Sequence, residues 1–69
     1  MLWRGLYGGY TMIRVVLATG EQVCARRGDY VVWICEDGKW RCQQVFRDLQ
    51  KAKDYAGLCR PAEVKIVKL

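Results

Sequence analysis

The pair Asp37-Gly38 constrains the fold of this chain more than any other feature. A type I′ turn needs positive φ at both central residues, and Asp and Gly are among the few types that accept it. The pair lies between Tyr30–Cys35, an apolar run, and the segment from Lys39 to Gln44. Together these predict a tight hairpin that sets Cys35 opposite Trp40, Ile34 opposite Arg41, Trp33 opposite Cys42 and Val32 opposite Gln43. One face then carries Val31, Trp33, Cys35, Trp40 and Cys42, apolar on both strands and expected to be the core side. The other carries Tyr30, Val32, Ile34, Arg41 and Gln43, a mixed surface expected to lean toward solvent.

A second hairpin precedes this one. From Met12 to Ala18 the residues are largely β-branched or apolar, and alternation puts Ile13, Val15 and Leu17 on one side. Thr19 and Gly20 mark a turn, and Gln22 to Arg26 returns. A three-residue loop brings Val23 and Ala25 onto the same apolar face, whereas a two-residue loop would mismatch them. After Phe46 the spacing of Phe46, Leu49, Ala52 and Ala56 changes to helical period, with Asp48 at the start and Lys51 and Lys53 further on, as the helix dipole prefers. Gly57 suits a left-handed position just past the helix, with Leu58 making the accompanying apolar contact and Pro61 barring continuation. Val64 to Leu69 alternates with lysines and is expected as an edge strand. The reading is an α+β fold of order β-β-β-β-α-β, an antiparallel sheet with one short helix packed on one face.

At 69 residues the chain is expected to form one domain spanning 1–69, since two cores would leave each half too little surface to bury. Apolar residues make up 52% of it and proline occurs once, a composition that folds. No apolar run reaches the length of a bilayer span and the first residues lack the apolar core of a signal peptide, so a cytoplasmic setting, in a bacterial host, is expected. Residues 1–11 mix Trp3, Leu6, Tyr7 and Tyr10 with three glycines and read as an irregular arm packed back on the domain or on a partner.

Histidine and serine are absent, which excludes hydrolytic triads and removes the commonest general base and metal ligand. Cys24, Cys35, Cys42 and Cys59 form no C-x-x-C pair, so they are expected to be reduced, buried thiols acting as small hydrophobes, with one disulfide or a metal site as the alternatives. Glu36 and Asp37 sit at a hairpin tip, and Arg27-Gly28-Asp29 reads as a turn. Gly8-Gly9 lacks the preceding strand and following helix of a phosphate loop. A non-enzymatic chain with no cofactor and no metal is expected.

What remains is surface. Twelve Lys and Arg against seven Asp and Glu give a net charge of +5, which favours acidic partners. In a single continuous sheet Arg14, Arg26, Tyr30 and Arg41 share a face with Met12, Val16, Val32 and Ile34, and arginine and tyrosine around aliphatic residues is the composition of a binding hot spot. Three roles fit such a face: docking on a host protein complex, contact with nucleic acid through stacked tyrosine and basic side chains, or self-association as a homodimer. No membrane contact is expected.

The hairpin Tyr30-Val-Val-Trp-Ile-Cys-Glu-Asp-Gly-Lys-Trp40, the helix Phe46-x-x-Leu49-x-x-Ala52-x-x-x-Ala56 and the strand Val64-Lys-Ile-Val67 resemble small accessory proteins of bacteriophages and other mobile elements, including anti-CRISPR inhibitors of type I systems. The resemblance covers rather more than half the chain. It implies a stoichiometric inhibitor that docks on a subunit of a CRISPR-Cas surveillance complex and blocks target DNA or nuclease recruitment. Many such inhibitors are acidic DNA mimics. The basic charge here departs from that pattern and points to an acidic protein surface or to nucleic acid as the partner.

Overall fold

The computed structural model describes residues 12–69; the N-terminal arm read from Trp3, Leu6, Tyr7 and Tyr10 lies outside them. Five strands and one helix follow in the order β1 (Met12–Val16), β2 (Gln22–Arg26), β3 (Tyr30–Glu36), β4 (Lys39–Phe46), α1 (Leu49–Leu58) and β5 (Glu63–Lys68). The α+β class and the element order are those expected. The strands do not form one sheet, however. β1 and β2 make a separate two-stranded ribbon, and β4-β3-β5 make an antiparallel sheet with β3 in the centre.

Both hairpins are set by their turns. Leu17 and Glu21 close a three-residue loop through a bond from the Leu17 amide to the Glu21 carbonyl at 2.9 Å, with Gly20 at φ 93°. Ile13 therefore faces Ala25 and Val15 faces Val23, the register that gathers the apolar residues. At the second hairpin Asp37 and Gly38 have φ of 53° and 77°, the two positive values a type I′ turn requires. Pairing runs from Glu36–Lys39 to Trp33–Cys42 as expected, then slips by one residue, so that Val32 meets Gln44 and not Gln43. Gln43 is the extra residue of a bulge, which restores Val45 and Phe46 to useful faces.

Between the hairpins the chain changes sheets. The Asp29 amide bonds back to the Arg26 carbonyl at 3.0 Å, Gly28 adopts φ 99°, and the Gly28 amide donates to the Leu69 carbonyl at 2.9 Å. This turn is pinned to the end of β5 and throws the β1–β2 ribbon over one face of the three-stranded sheet. There Leu17, Val31 and Cys42 are buried together, with Val15, Val23, Trp33, Val45 and Leu69 around them.

The helix covers the other face. Asp48 caps it, its carboxylate accepting the Gln50 amide at 2.8 Å, a cap worth about 1 kcal/mol. Phe46 remains in β4 rather than opening the helix, and its ring meets that of Tyr55 with centroids 5.3 Å apart. Ala52, Val32 and Ile34 are buried in this layer. The face expected to lean toward solvent is thus the one under the helix. Among the described residues the expected core face is closed at the end the ribbon covers, and Trp40 at its far end remains 38% exposed. β3 is apolar on both sides because layers press on it from both sides.

The end of the helix also differs from the reading. Gly57 is inside α1, not past it; Cys59 takes the C-cap in right-handed geometry, and Leu58 is among the most exposed apolar residues. The last turn carries no basic residue, so Lys51 and Lys53 do not meet the negative end of the dipole. Among the described residues no helix is long and apolar enough to cross a membrane.

Candidate functional site

The six residues expected on one face fall in three places. Arg14 and Arg26 lie on the ribbon. Its inward face is Ile13, Val15, Val23 and Ala25, so the outward face is Met12, Arg14, Val16, Gln22, Cys24 and Arg26, each exposed. Tyr30 and Arg41 lie on the helix side of the three-stranded sheet, with Tyr30 half-buried opposite Phe46 and Arg41 exposed opposite Ile34. Val32 and Ile34 lie beneath the helix with 0% and 5% exposure and are unavailable to any partner. The single face is lost because the ribbon stacks on the sheet instead of extending it. The structure keeps Arg14 with Arg26, and separates both from Tyr30 and Arg41.

The outward ribbon face has its own apolar content. Met12 and Val16 flank Arg14 along β1 and are 52% and 57% exposed. Since Ile13 and Val15 point inward, β1 is apolar toward both sides although the described residues cover only one. A two-stranded ribbon with solvent on its outer face would ordinarily alternate apolar and polar residues.

A second feature was missed in the sequence. Lys53, Ala56 and Gly57 of α1, Arg60 beyond it, and Val64 and Ile66 of β5 line a groove of about 390 Å³. It continues into a depression of about 540 Å³ formed by Arg60, Pro61, Ala62, Glu63 and Val64. The floor is aliphatic, and the rim carries Lys53 and Arg60, with Glu63 as its one acid among the lining residues. The available signal was Gly57, a glycine at helical spacing between residues that face β5. On the opposite side of the sheet the Lys65 ammonium sits 4.3 Å from the centre of the Trp40 ring, a cation–π contact that holds both side chains in an otherwise open corner.

The thiols differ in setting. All four are free; Cys24 is exposed on the ribbon, contrary to the expectation of buried thiols, and Cys42 is buried. Burial pushes the Cys42 thiol above its ordinary value, which keeps it protonated and inert. Among the described residues no three His, Cys, Asp or Glu side chains gather where a metal could be held. The surfaces of the described residues present aliphatic groups, guanidinium and ammonium groups, and the outer edge of β5. No protein-family model, no curated protein and no solved structure matches this chain.

Proposed function

We propose that this chain is a non-enzymatic protein-binding domain whose contact surface is the outward face of the β1–β2 ribbon. The observation that carries the reading is the exposure of Met12 and Val16 on either side of Arg14, with Arg26 paired to Met12 across the ribbon. Aliphatic and thioether groups beside arginine are what the buried centre of a protein interface uses. The lack of histidine and serine in the sequence agrees with binding rather than catalysis.

The resemblance to phage accessory proteins adds a class of partner. On that reading the domain is a mobile-element inhibitor that docks on a subunit of a host CRISPR-Cas surveillance complex, and its net charge of +5 suits an acidic patch on that subunit. Immobilised chain is to be mixed with a purified type I surveillance complex, beside a variant carrying Met12→Glu and Val16→Glu. Retention by the parent chain and loss in the variant supports the reading. Equal retention, or none by either, removes it.

A nucleic-acid-binding module is supported less well. Tyr30 and the arginines of the ribbon belong to different faces, so the residues expected to stack on bases and to contact phosphates do not form one surface. Self-association through the ribbon is the remaining rival, and a monomer in sedimentation at high concentration would remove it.

A further inference from the structure

β5 forms one margin of the three-stranded sheet, and its outer edge meets no strand among the described residues. One bond fixes which of its backbone groups point outward. The Leu69 amide donates to the Asp29 carbonyl at 2.8 Å, so counting back along the ladder Val67, Lys65 and Glu63 aim their N–H and C=O groups at β3. Val64, Ile66 and Lys68 aim theirs away from it. The opposite edge agrees in phase: Trp33 bonds toward Lys65, so Cys42 on its other side turns its carbonyl outward, where it accepts the Ala18 amide at 2.7 Å. The ribbon therefore caps the β4 edge at that point, while no described residue covers the β5 edge.

The open edge runs along the groove between β5 and α1. Val64 and Ile66, whose amides point outward, also turn their side chains to the helix side and line it. Across from them is Gly57. A Cβ built there would meet nothing within 4 Å among the described residues, and no positive φ calls for glycine, so nothing among them explains it. An exposed helical glycine destabilises the helix relative to alanine. Close approach by the backbone of another chain is one use that glycine serves at such a position.

We propose that this edge and groove bind an extended acidic segment of a partner protein, added to β5 as a fourth strand. Its backbone pairs with the outward groups of Val64, Ile66 and Lys68, aliphatic side chains enter the groove over Gly57, and carboxylates meet Lys53 and Arg60. Charge selects this occupant. A second copy paired about Ile66 would gather Lys65, Lys68 and Arg60 of both chains along one seam. Nucleic acid would bring phosphates against outward carbonyl oxygens, over a floor with no aromatic face to stack on. The site is separate from the ribbon face and stands without it.

The test uses the full chain and two synthetic peptides, one alternating valine with aspartate and one alternating valine with lysine, followed by amide hydrogen exchange. The acidic peptide is expected to slow exchange at Val64, Ile66 and Lys68 by roughly tenfold or more and to shift the Gly57 resonance, with the basic peptide inert. Gly57→Leu, placed where there is room, is expected to abolish that protection at a melting temperature no lower than the parent's. Arg60→Glu on the exposed rim is expected to weaken it in the same way if the leucine variant unfolds. The proposal is overturned by exchange unaffected by the acidic peptide, by equal protection from both peptides, by shifts confined to Met12–Val16, or by protection that grows with protein concentration alone.

Discussion

The Asp29 carboxylate accepts the Arg26 backbone amide at 2.9 Å in the turn where the chain leaves the ribbon and enters the three-stranded sheet. Asp29 is 9% exposed, and its own amide and carbonyl are engaged with Arg26 and Leu69. Three parts of the chain therefore meet at one residue. Asp29→Ala strips the acceptor from a part-buried amide and is expected to cost about 1–3 kcal/mol, read as a lower denaturant midpoint with unchanged slope. Asp29→Asn keeps an acceptor oxygen and should recover most of the loss. Equal damage from both variants would point to the charge rather than the bond.

Two glycines should answer alanine in opposite directions. Gly38 has φ 77° in the tight turn, and Gly38→Ala is expected to destabilise by about 1 kcal/mol or more, since an L-residue there is strained. Gly57 sits in right-handed helix with open space around it, so Gly57→Ala should stabilise by roughly 0.5–1 kcal/mol. Thermal melts compare them directly. Destabilisation by Gly57→Ala would mean that the helix does not extend to this position.

What could be read from the sequence was local. The three-residue loop at Ala18–Gly20 and the Asp37-Gly38 turn carry their own chemistry, and from them the registers of both hairpins followed up to the bulge. That bulge lies in Cys42-Gln43-Gln44, where the side chains offer no alternation to reveal an added residue. The division into two sheets depends on Arg26–Asp29 meeting Leu69, a contact across forty residues that no window of sequence contains. Because Tyr30–Cys35 is apolar on both faces, alternation could not say which face a helix would cover. The candidate site inherited the error: Arg14 and Arg26 share a face through a local loop, whereas Tyr30 and Arg41 were joined to them only by assuming a continuous sheet.

The two sides of β1 and β3 should separate stability from binding. Val32 has 0% exposure under the helix, and Val32→Ala is expected to cost about 2 kcal/mol from lost burial and the cavity left behind. Met12→Ala and Val16→Ala remove exposed groups and are expected to leave stability within about 0.5 kcal/mol. Urea titrations of the three variants give the comparison. A loss of 2 kcal/mol at Val16 would show that its side chain is part of the core and remove it from the binding face.

Cys42 links the core to alkaline pH. Burial raises its thiol above the ordinary value of 9.0, so the folded chain holds the proton more tightly than the unfolded one. Below that value both states are protonated and the thiol's contribution is fully present. As pH rises through it the unfolded thiol ionises first, which draws the equilibrium toward unfolding until the folded thiol ionises too. Cys42→Ala lowers stability at neutral pH through its cavity, yet its stability should fall less steeply than the parent's between about pH 8 and 10. The same burial sets the order of alkylation by iodoacetamide. Exposed Cys24 should react first, and Cys42 last and only as the domain opens. Parallel pH slopes for the two chains, or Cys42 reacting alongside Cys24 in the folded state, would overturn the assignment of Cys42 to the core between ribbon and sheet.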